Sequence, residues 1–394
     1  MEAGRLRVLF VTRAYYPAVK YGGPVAGLRR MATMLAAAGH EVTVLCQDMA
    51  EPGMFGERLR PGRFVMDGVR VRYFRTRVRA RWDGIAPAAI GEVPDHVRCA
   101  DVVHVCGTRH FLGYLAERAS QRMGIPYVVM PEGSVPPRIR SLRAKEIYDR
   151  AWTRKAMVRA FRVIATSDAE GKDLIQWGLP PDRVLVLPPR GDRISPSSER
   201  RDVLRDRWGV PRTAFVLIWM GRIHSEKGLS ILFSALEDAR LQEVHLLLGG
   251  AAEDRDLDKR LGELASSRLQ GRVHFLGWVD QFQKSELFRL GDLFVLPSKK
   301  ENFGLAAAEA LASGMPVVVT EGCGIADLVR EERAGLVSRY SPTELADALA
   351  RVLGLPALLE QMREATAQAA VRLDWPPLVA YLEDIYRKAH PNNP

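Results

Sequence analysis

Pro297-Ser298-Lys299-Lys300-Glu301-Asn302-Phe303-Gly304-Leu305-Ala306-Ala307-Ala308-Glu309 follows an apolar run at 292–296 and opens a small-residue stretch that stops near Gly314. Apolar strand, polar loop and helix in this order form the repeating unit of a parallel α/β layer. Asn302 is a favourable N-cap, its side chain able to accept from a first-turn amide. The amides of Phe303, Gly304 and Leu305 then point out of a positive helix end, which suits a phosphate. Glu301 stands just outside that end, and Glu309 about two turns inside, roughly 10 Å along the axis. Two carboxylates bracketing an anion site suit a ligand with hydroxyls on either side of a diphosphate. A nucleotide-sugar is such a ligand, with Glu301 on the sugar and Glu309 on the ribose.

The same order occurs earlier. Gly221-Arg222-Ile223-His224-Ser225-Glu226-Lys227-Gly228 follows the apolar 215–220 and opens another helix. Loops at the carboxyl edge of a parallel sheet are where α/β proteins bind ligands. Arg222 offers a forked donor and Lys227 a point charge to a diphosphate; the alternative is two solvated loop cations. Near the N-terminus, Tyr21-Gly22-Gly23-Pro24 ends the loop after a first apolar run at 6–11. Gly22 and Gly23 permit close ligand approach or a simple turn. Neither a G-x-G-x-x-G fingerprint nor a G-x-x-x-x-G-K-S/T phosphate loop is present there.

Strand and helix patterns alternate along nearly the whole chain. Expected strands lie at 6–11, 41–46, 101–105, 126–130, 162–166 and 183–187, then at 213–220, 243–248, 272–276, 292–296 and 315–319. The Pro-, Ser- and Gly-rich 187–199 is the best linker between them. The expected fold class is α/β with two Rossmann-like doubly wound parallel-sheet domains, 1–190 and 191–374. Residues 375–394 form a helical tail compatible with packing on either domain, the N-terminal one included. At 394 residues both domains can bury a core. No apolar run approaches the 18 residues of a membrane span, and 6–11 reads as a buried strand in place of a signal peptide. Cys46, Cys99, Cys106 and Cys323 lack disulfide-framework or metal-ligand spacing, so no metal and a cytoplasmic setting are expected. The net charge of +10 favours an acidic partner.

Gly221-Arg222 with Lys227-Gly228, Pro297-Ser298 with Glu301, Phe303, Gly304 and Glu309, and Gly314-Met315-Pro316-Val317-Val318 resemble the retaining glycosyltransferases of family 4. Gly22-Gly23 with Leu35, Gly39-His40 and Val42 extend the resemblance over nearly the whole chain. The resemblance implies a GT-B enzyme: two Rossmann-like domains facing a cleft, donor on the C-terminal one and acceptor on the N-terminal one. It implies a UDP- or GDP-type sugar donor and no cofactor. Arg222 and Lys227 would hold the diphosphate, Glu301 the sugar and Glu309 the ribose, with the 303–305 amides near the distal phosphate and Gly22-Gly23 at the donor. It further implies catalytic roles for Glu301, Arg222 and Lys227, and retention by same-face attack. Glycan, lipid-linked and small-molecule hydroxyls are the acceptor classes, as in polysaccharide, glycolipid or glycoconjugate synthesis of a cell envelope.

The chain departs from the family in two places. Glu132, in Pro131-Glu132-Gly133-Ser134, stands where members often carry a sugar-contacting His, and Pro188-Pro189-Arg190-Gly191 replaces a Pro-Asn-Gly. Glu132 and His104 are therefore both candidates for selecting acceptor or sugar. An ionised Glu132 would accept from hydroxyls and repel a uronic acid, or would pair with Arg138, Arg140 or Arg143.

A basic stretch, 138–162, interleaves nine cations with Ile147, Tyr148, Trp152 and Phe161. It reads either as a peripheral contact with an anionic membrane on its cytoplasmic face or as a solvated helix face. Arg70 to Arg81 alternates cations with Val69, Val71 and Tyr73, a strand with one wet face. Nucleic-acid binding is not expected, because it leaves Glu301 and Glu309 unexplained. A nucleotide-sugar epimerase and a non-catalytic basic membrane or nucleic-acid adaptor are the competing readings.

Overall fold

The computed structural model describes residues 4–50, 57–80, 83–136, 142–251 and 255–390. Its chain divides into two compact units, Met1–Pro188 with Pro376–Pro394, and Pro189–Trp375.

The N-terminal unit contains β1 (Arg7–Val11), β2 (Glu41–Gln47), β3 (Gly62–Met66), β4 (Val69–Phe74), β5 (Val78–Ala80), β6 (Asp83–Ile85), β7 (Val102–Cys106), β8 (Tyr127–Met130), β9 (Arg162–Ala165) and β10 (Val184–Val186). Eight of these form a sheet in the order β10-β9-β8-β7-β1-β2-β4-β3, parallel except for the β3/β4 hairpin. Val69, Val71 and Tyr73 are buried while Arg70 is exposed, so β4 has the one wet face its alternation predicts. The hairpin turn is Asp67-Gly68, both at positive φ (51° and 77°). A two-residue turn of that kind suits the right-handed twist of the strands. Strands β3, β5 and β6 were not expected. They are short antiparallel edge pieces with little apolar pattern of their own.

The C-terminal unit contains β11 (Phe215–Met220), β12 (Val244–Gly249), β13 (Val273–Gly277), β14 (Leu293–Leu296), β15 (Val317–Thr320) and β16 (Gly335–Ser338). All are parallel, ordered β13-β12-β11-β14-β15-β16. The first strand is central and the order reverses between β11 and β14, the doubly wound arrangement. Both faces are buried, and the side chains of β11 alternate between them. Val216, Ile218 and Met220 join one core cluster, and Leu217 and Trp219 the other. This explains the uninterrupted apolar pattern of the strands.

The helix Trp375–Ala389 packs in the N-terminal unit through named polar contacts. His40 accepts from the Leu6 amide at Nδ1 (3.1 Å), which leaves Nε2 to donate to Glu383 at 3.0 Å. Arg387 donates to the Gly4 carbonyl at 2.9 Å. His104, at the middle of β7, is fully buried and meets the Tyr386 hydroxyl at 2.6 Å.

Candidate functional site

The switch point between β11 and β14 is built by glycines that let three loops interlock. Gly228 (φ 69°) ends the β11 loop, and a Cβ there would come within 1.8 Å of the Pro297 carbonyl oxygen. A Cβ at Gly322, after β15, would come within 2.2 Å of the Lys299 carbonyl oxygen. Hydrogen bonds join the same loops: Lys299 N to Glu226 O (2.8 Å), Glu301 N to Gly322 O (2.9 Å) and Gly324 N to Glu301 O (3.0 Å). The backbone of Glu301 is thus held on both sides, and its carboxylate pairs with the Lys227 ammonium. Each side chain keeps about a fifth of its surface exposed, 22% for Lys227 and 18% for Glu301. The two residues are 74 positions apart, yet form one ion pair open to a ligand. Arg222, on the same loop as Lys227, is exposed.

The helix that follows runs Leu305–Ala312, and its N-cap is Gly304 (φ 109°, ψ 56°). The expected Asn302 cap is corrected: the chain turns two residues later. A Cβ at position 304 would also approach Leu296 Cδ2 at 3.0 Å, so glycine is what lets the turn fit there. The first helical bond is Ala308 N to Gly304 O (3.0 Å), so the amides of Leu305, Ala306 and Ala307 lead the N-terminus. Phe303 is buried, its carbonyl accepting from Ile325 N at 2.8 Å.

Glu309, the helix's fifth residue, bonds Lys284 at 2.7 Å. Lys284 belongs to the helix Gln281–Leu290, and sequence reasoning missed it. Loss of hydration raises the Glu309 carboxyl, Lys284 opposes that, and Asp192 adds to the rise. Gly191 is a second omission. A Cβ there would lie 2.4 Å from Ala308 backbone and 2.6 Å from Glu309 N, so the segment that replaces Pro-Asn-Gly crosses this helix in direct contact. Ile194 N then donates to Ser313 Oγ at 2.9 Å. Only a positional comparison with the family singled out 188–191, and nothing in its composition signalled this contact.

The carboxyl edge of the N-terminal sheet is built differently. Gly22 (φ 76°) caps the helix Gly23–Ala37, its carbonyl accepting from Val25 and Ala26 at 3.2 and 3.4 Å. After β7, Arg109 is buried against Asp149 through bonds of 2.8 and 2.6 Å and donates to Ser134 O at 2.6 Å. Thr108 Oγ1 meets Ser134 Oγ at 2.7 Å. His110 caps the helix Phe111–Met123, accepting from Gly113 N, and burial lowers its pKa to about 3. Glu132 follows β8 in left-handed backbone (φ 53°) and is partly buried. His104 is corrected as a selector: burial lowers its pKa to about 3, and its ring is enclosed between Phe10 and Tyr386.

The basic stretch forms a continuous helical segment, Leu142–Tyr148, Asp149–Thr153 (a π turn) and Arg154–Arg159. Trp152 is no surface anchor: its indole N–H donates to Glu117 at 2.7 Å and its ring packs on Tyr114. Glu117, buried, is pushed up to about 7. Ile147 is 70% exposed and Val158 38%, flanked by exposed Arg143, Arg150, Arg154, Lys155 and Arg159. Arg138, Arg140 and Arg81 lie outside the described residues. Among the described residues no helix is long and apolar enough to cross a membrane. No group of three or more His, Cys, Asp or Glu among them could hold a metal ion.

Two family descriptions match this chain: "Glycosyl transferases group 1" over residues 200–369 and "Glycosyl transferase 4-like domain" over residues 22–190. A D-inositol 3-phosphate glycosyltransferase of Thermomonospora curvata is 28% identical over 93% of this chain and 91% of its own. One of two from Catenulispora acidiphila is 32% identical over 58% of this chain, which spans 56% of that relative. Among solved structures, Anabaena HepE in complex with UDP and glucose superposes with a TM-score of 0.75 at 21% identity, covering 96% of this chain and 99% of HepE. Sucrose-phosphate synthase of Thermosynechococcus elongatus gives 0.74 at 20%, covering 97% and 98%.

Proposed function

This chain belongs to the group 1 glycosyltransferase family, is a glycosyltransferase and has the GT-B fold, and on that premise we propose that it moves a sugar from a nucleoside-diphosphate sugar to a hydroxyl acceptor, without metal and with retention. The observation that carries this reading is the Lys227–Glu301 pair at the β11/β14 switch point, next to the N-terminus of the helix Leu305–Ala312. An anion there meets a cation and free amides, and a carboxylate waits beside it for hydroxyls.

In this mechanism Arg222, Lys227 and the helix amides bind the diphosphate and stabilise the charge that develops on it as it leaves. Glu301 accepts from sugar hydroxyls, and Glu309, held by Lys284, accepts from the ribose. The bond from the anomeric carbon to the phosphate oxygen breaks as the sugar becomes oxocarbenium-like. The acceptor oxygen bonds to that carbon on the same face, and its proton passes to the departing phosphate oxygen. Retention follows from same-face attack, and no strong base is needed.

HepE bound to UDP and glucose directs the donor panel first to UDP-sugars, with GDP-sugars as the second arm. The relatives' names place D-inositol 3-phosphate among the first acceptors to assay. The test measures nucleoside-diphosphate release across that panel and the product's anomeric configuration by NMR. A retained product that depends on both donor and acceptor supports the reading. Donor isomerisation without acceptor favours the epimerase, and an inverted product overturns same-face attack.

A further inference from the structure

Two carboxylates stand together beyond the end of β8. Glu170, in the helix Asp168–Gln176, is buried, and both of its oxygens accept hydrogen bonds. Gly133 N donates to Oε1 at 2.5 Å, and Thr166 N and Oγ1 both donate to Oε2 at 2.7 Å. Two main-chain amides and a hydroxyl all donate to it. Glu132 has the opposite surroundings. Among the described residues none donates a hydrogen bond to its carboxyl. It faces the Glu170 carboxylate and the Cys106 thiol of β7, with no cation among the described residues to offset them.

The backbone holds this arrangement in place. Glu132 sits at φ 53°, a conformation that strains a non-glycine residue and persists where its surroundings fix it. The Gly133–Glu170 bond supplies that fixing. A Cβ at Gly107 (φ 78°), just after β7, would lie 4.0 Å from Glu132 Oε2, an ordinary contact that places the carboxyl beside that turn. Part of Glu132 still reaches solvent. The result is a carboxyl unpartnered among the described residues, within electrostatic reach of the Glu170 carboxylate, at a sheet edge where α/β folds present ligand contacts.

We propose that Glu132 works as a neutral acid, donating its carboxyl proton in a hydrogen bond to a substrate oxygen docked at the ends of β7 and β8. The inference rests on the transferase reading for the identity of that substrate; the state of the carboxyl rests on its lack of a donor or cation among the described residues and on the clamped Glu170 nearby. Loss of hydration and then the Glu170 charge raise Glu132 to about 8, so the proton stays on at neutral pH. Glu170 is the positioning residue: it clamps the loop and supplies the charge that retains the proton. A neutral donor accepts anionic oxygens as readily as hydroxyls, so a phosphate or carboxylate on the substrate is tolerated there. This reverses the expectation that Glu132 repels a uronic acid.

The test starts with the full chain and no ligand, carrying [13C]carboxyl-labelled glutamate. One resonance, absent in Glu132→Gln, is expected to titrate at about 8, and Glu170→Gln to move it down. A Glu132 resonance titrating in the ordinary carboxylate range overturns the proposal. Stability gives a second reading. The native chain holds a proton that the unfolded chain releases above 4.5, so wild-type melting temperature falls relative to Glu132→Gln as pH rises from 4.5 to about 8, then runs level. A constant gap between the two overturns it as well. In turnover with UDP- and GDP-sugars, wild-type kcat/KM is expected to fall about tenfold per pH unit above the inflection. Glu132→Gln keeps a donor and stays flat, whereas Glu132→Ala is slow at every pH. Parallel wild-type and Gln profiles make the residue structural and sink the proposal. Failure of the transferase reading shows elsewhere, as absence of UDP or GDP binding by calorimetry.

Discussion

The carboxyl edges of the two sheets solve opposite electrostatic problems. In the C-terminal unit the edge is prewired with opposite charges, Lys227 with Glu301 across two loops and Lys284 with Glu309 across two helices. In the N-terminal unit it is filled with polar groups already committed to one another: Arg109 to Asp149, Thr108 to Ser134, and Glu170 to Gly133. Its unspent groups are a histidine kept neutral by burial and a carboxyl beside a like charge. The first edge suits a ligand of high charge, which exchanges with existing ion pairs at little desolvation cost. The second suits a ligand recognised by hydrogen bonds.

The largest effect that can break this comparison is at Lys227 and Arg222. Each replaced by Ala is expected to lower kcat/KM by about one to two decades, the equivalent of a charge-assisted hydrogen bond of roughly 1.5–3 kcal/mol. Lys227→Ala also leaves Glu301 without its partner, so Lys227→Ala/Glu301→Gln should lose less than the product of the single losses. Steady-state kinetics at matched melting temperature decide it. Full additivity would mean that the pair seen in the free chain plays no part in preorganising the site.

The proposed ribose contact at Glu309 sharpens the comparison with a smaller change. Glu309→Gln is expected to weaken nucleoside-diphosphate binding by about tenfold, near 1.4 kcal/mol. Glu301→Gln should spare that affinity and slow turnover. Calorimetry on the free nucleotide separates the two, and a reversed pattern would mean that the ligand lies the other way along the helix Leu305–Ala312. In the proposed mechanism the cations of the same edge neutralise the leaving group in place of a metal. Transfer in excess chelator is therefore expected to stay about equal to that in its absence. Loss on chelation with recovery on magnesium or manganese would show that the cations do not suffice.

The two edges also differ in how much of them the sequence carries. Strand, loop and helix in the C-terminal half are local patterns, so 292–296, the loop to Gly304 and the small-residue helix are legible residue by residue. What is not legible there is tertiary. Asn302 has the right side chain for a cap, but the turn belongs to Gly304, whose φ of 109° strains any other residue and whose Cβ would crowd Leu296. Lys284 is an ordinary helical cation until the fold brings it to Glu309. In the N-terminal half most of the site is tertiary. His104 looks like a ligand residue at a strand end, and becomes a core residue because the helix Trp375–Ala389 returns over 280 positions to bring Tyr386 against it. Trp152 looks like a membrane anchor on a basic helix, and is claimed by Glu117. Glu132 is the exception, visible as a departure from the family at a position that the sheet makes important.

The smallest expected effect concerns the basic helical segment, and it does not touch soluble transfer. With Trp152 turned inward, any bilayer contact falls to Ile147 and Val158, with the cations around them. Arg154 is a poor probe, since a Cβ at Gly178 would lie 2.1 Å from its Nη2, and charge reversal there disturbs packing. Arg150 and Lys155 are exposed and make no ion pair among the described residues, so they report on the surface alone. If the segment docks on an anionic membrane, Arg150→Glu with Lys155→Glu should weaken vesicle binding by about 1 kcal/mol per cation lost, and wild-type binding should fall with salt. Ile147→Ser should weaken it at constant salt dependence, because it removes apolar contact and no charge. Sedimentation with vesicles of phosphatidylglycerol and phosphatidylcholine measures both. Transfer to a soluble acceptor should be unchanged in both variants. Wild type that ignores such vesicles at low salt would make this a solvated face, and would leave the hydrogen-bonding N-terminal edge as the place where the acceptor is chosen.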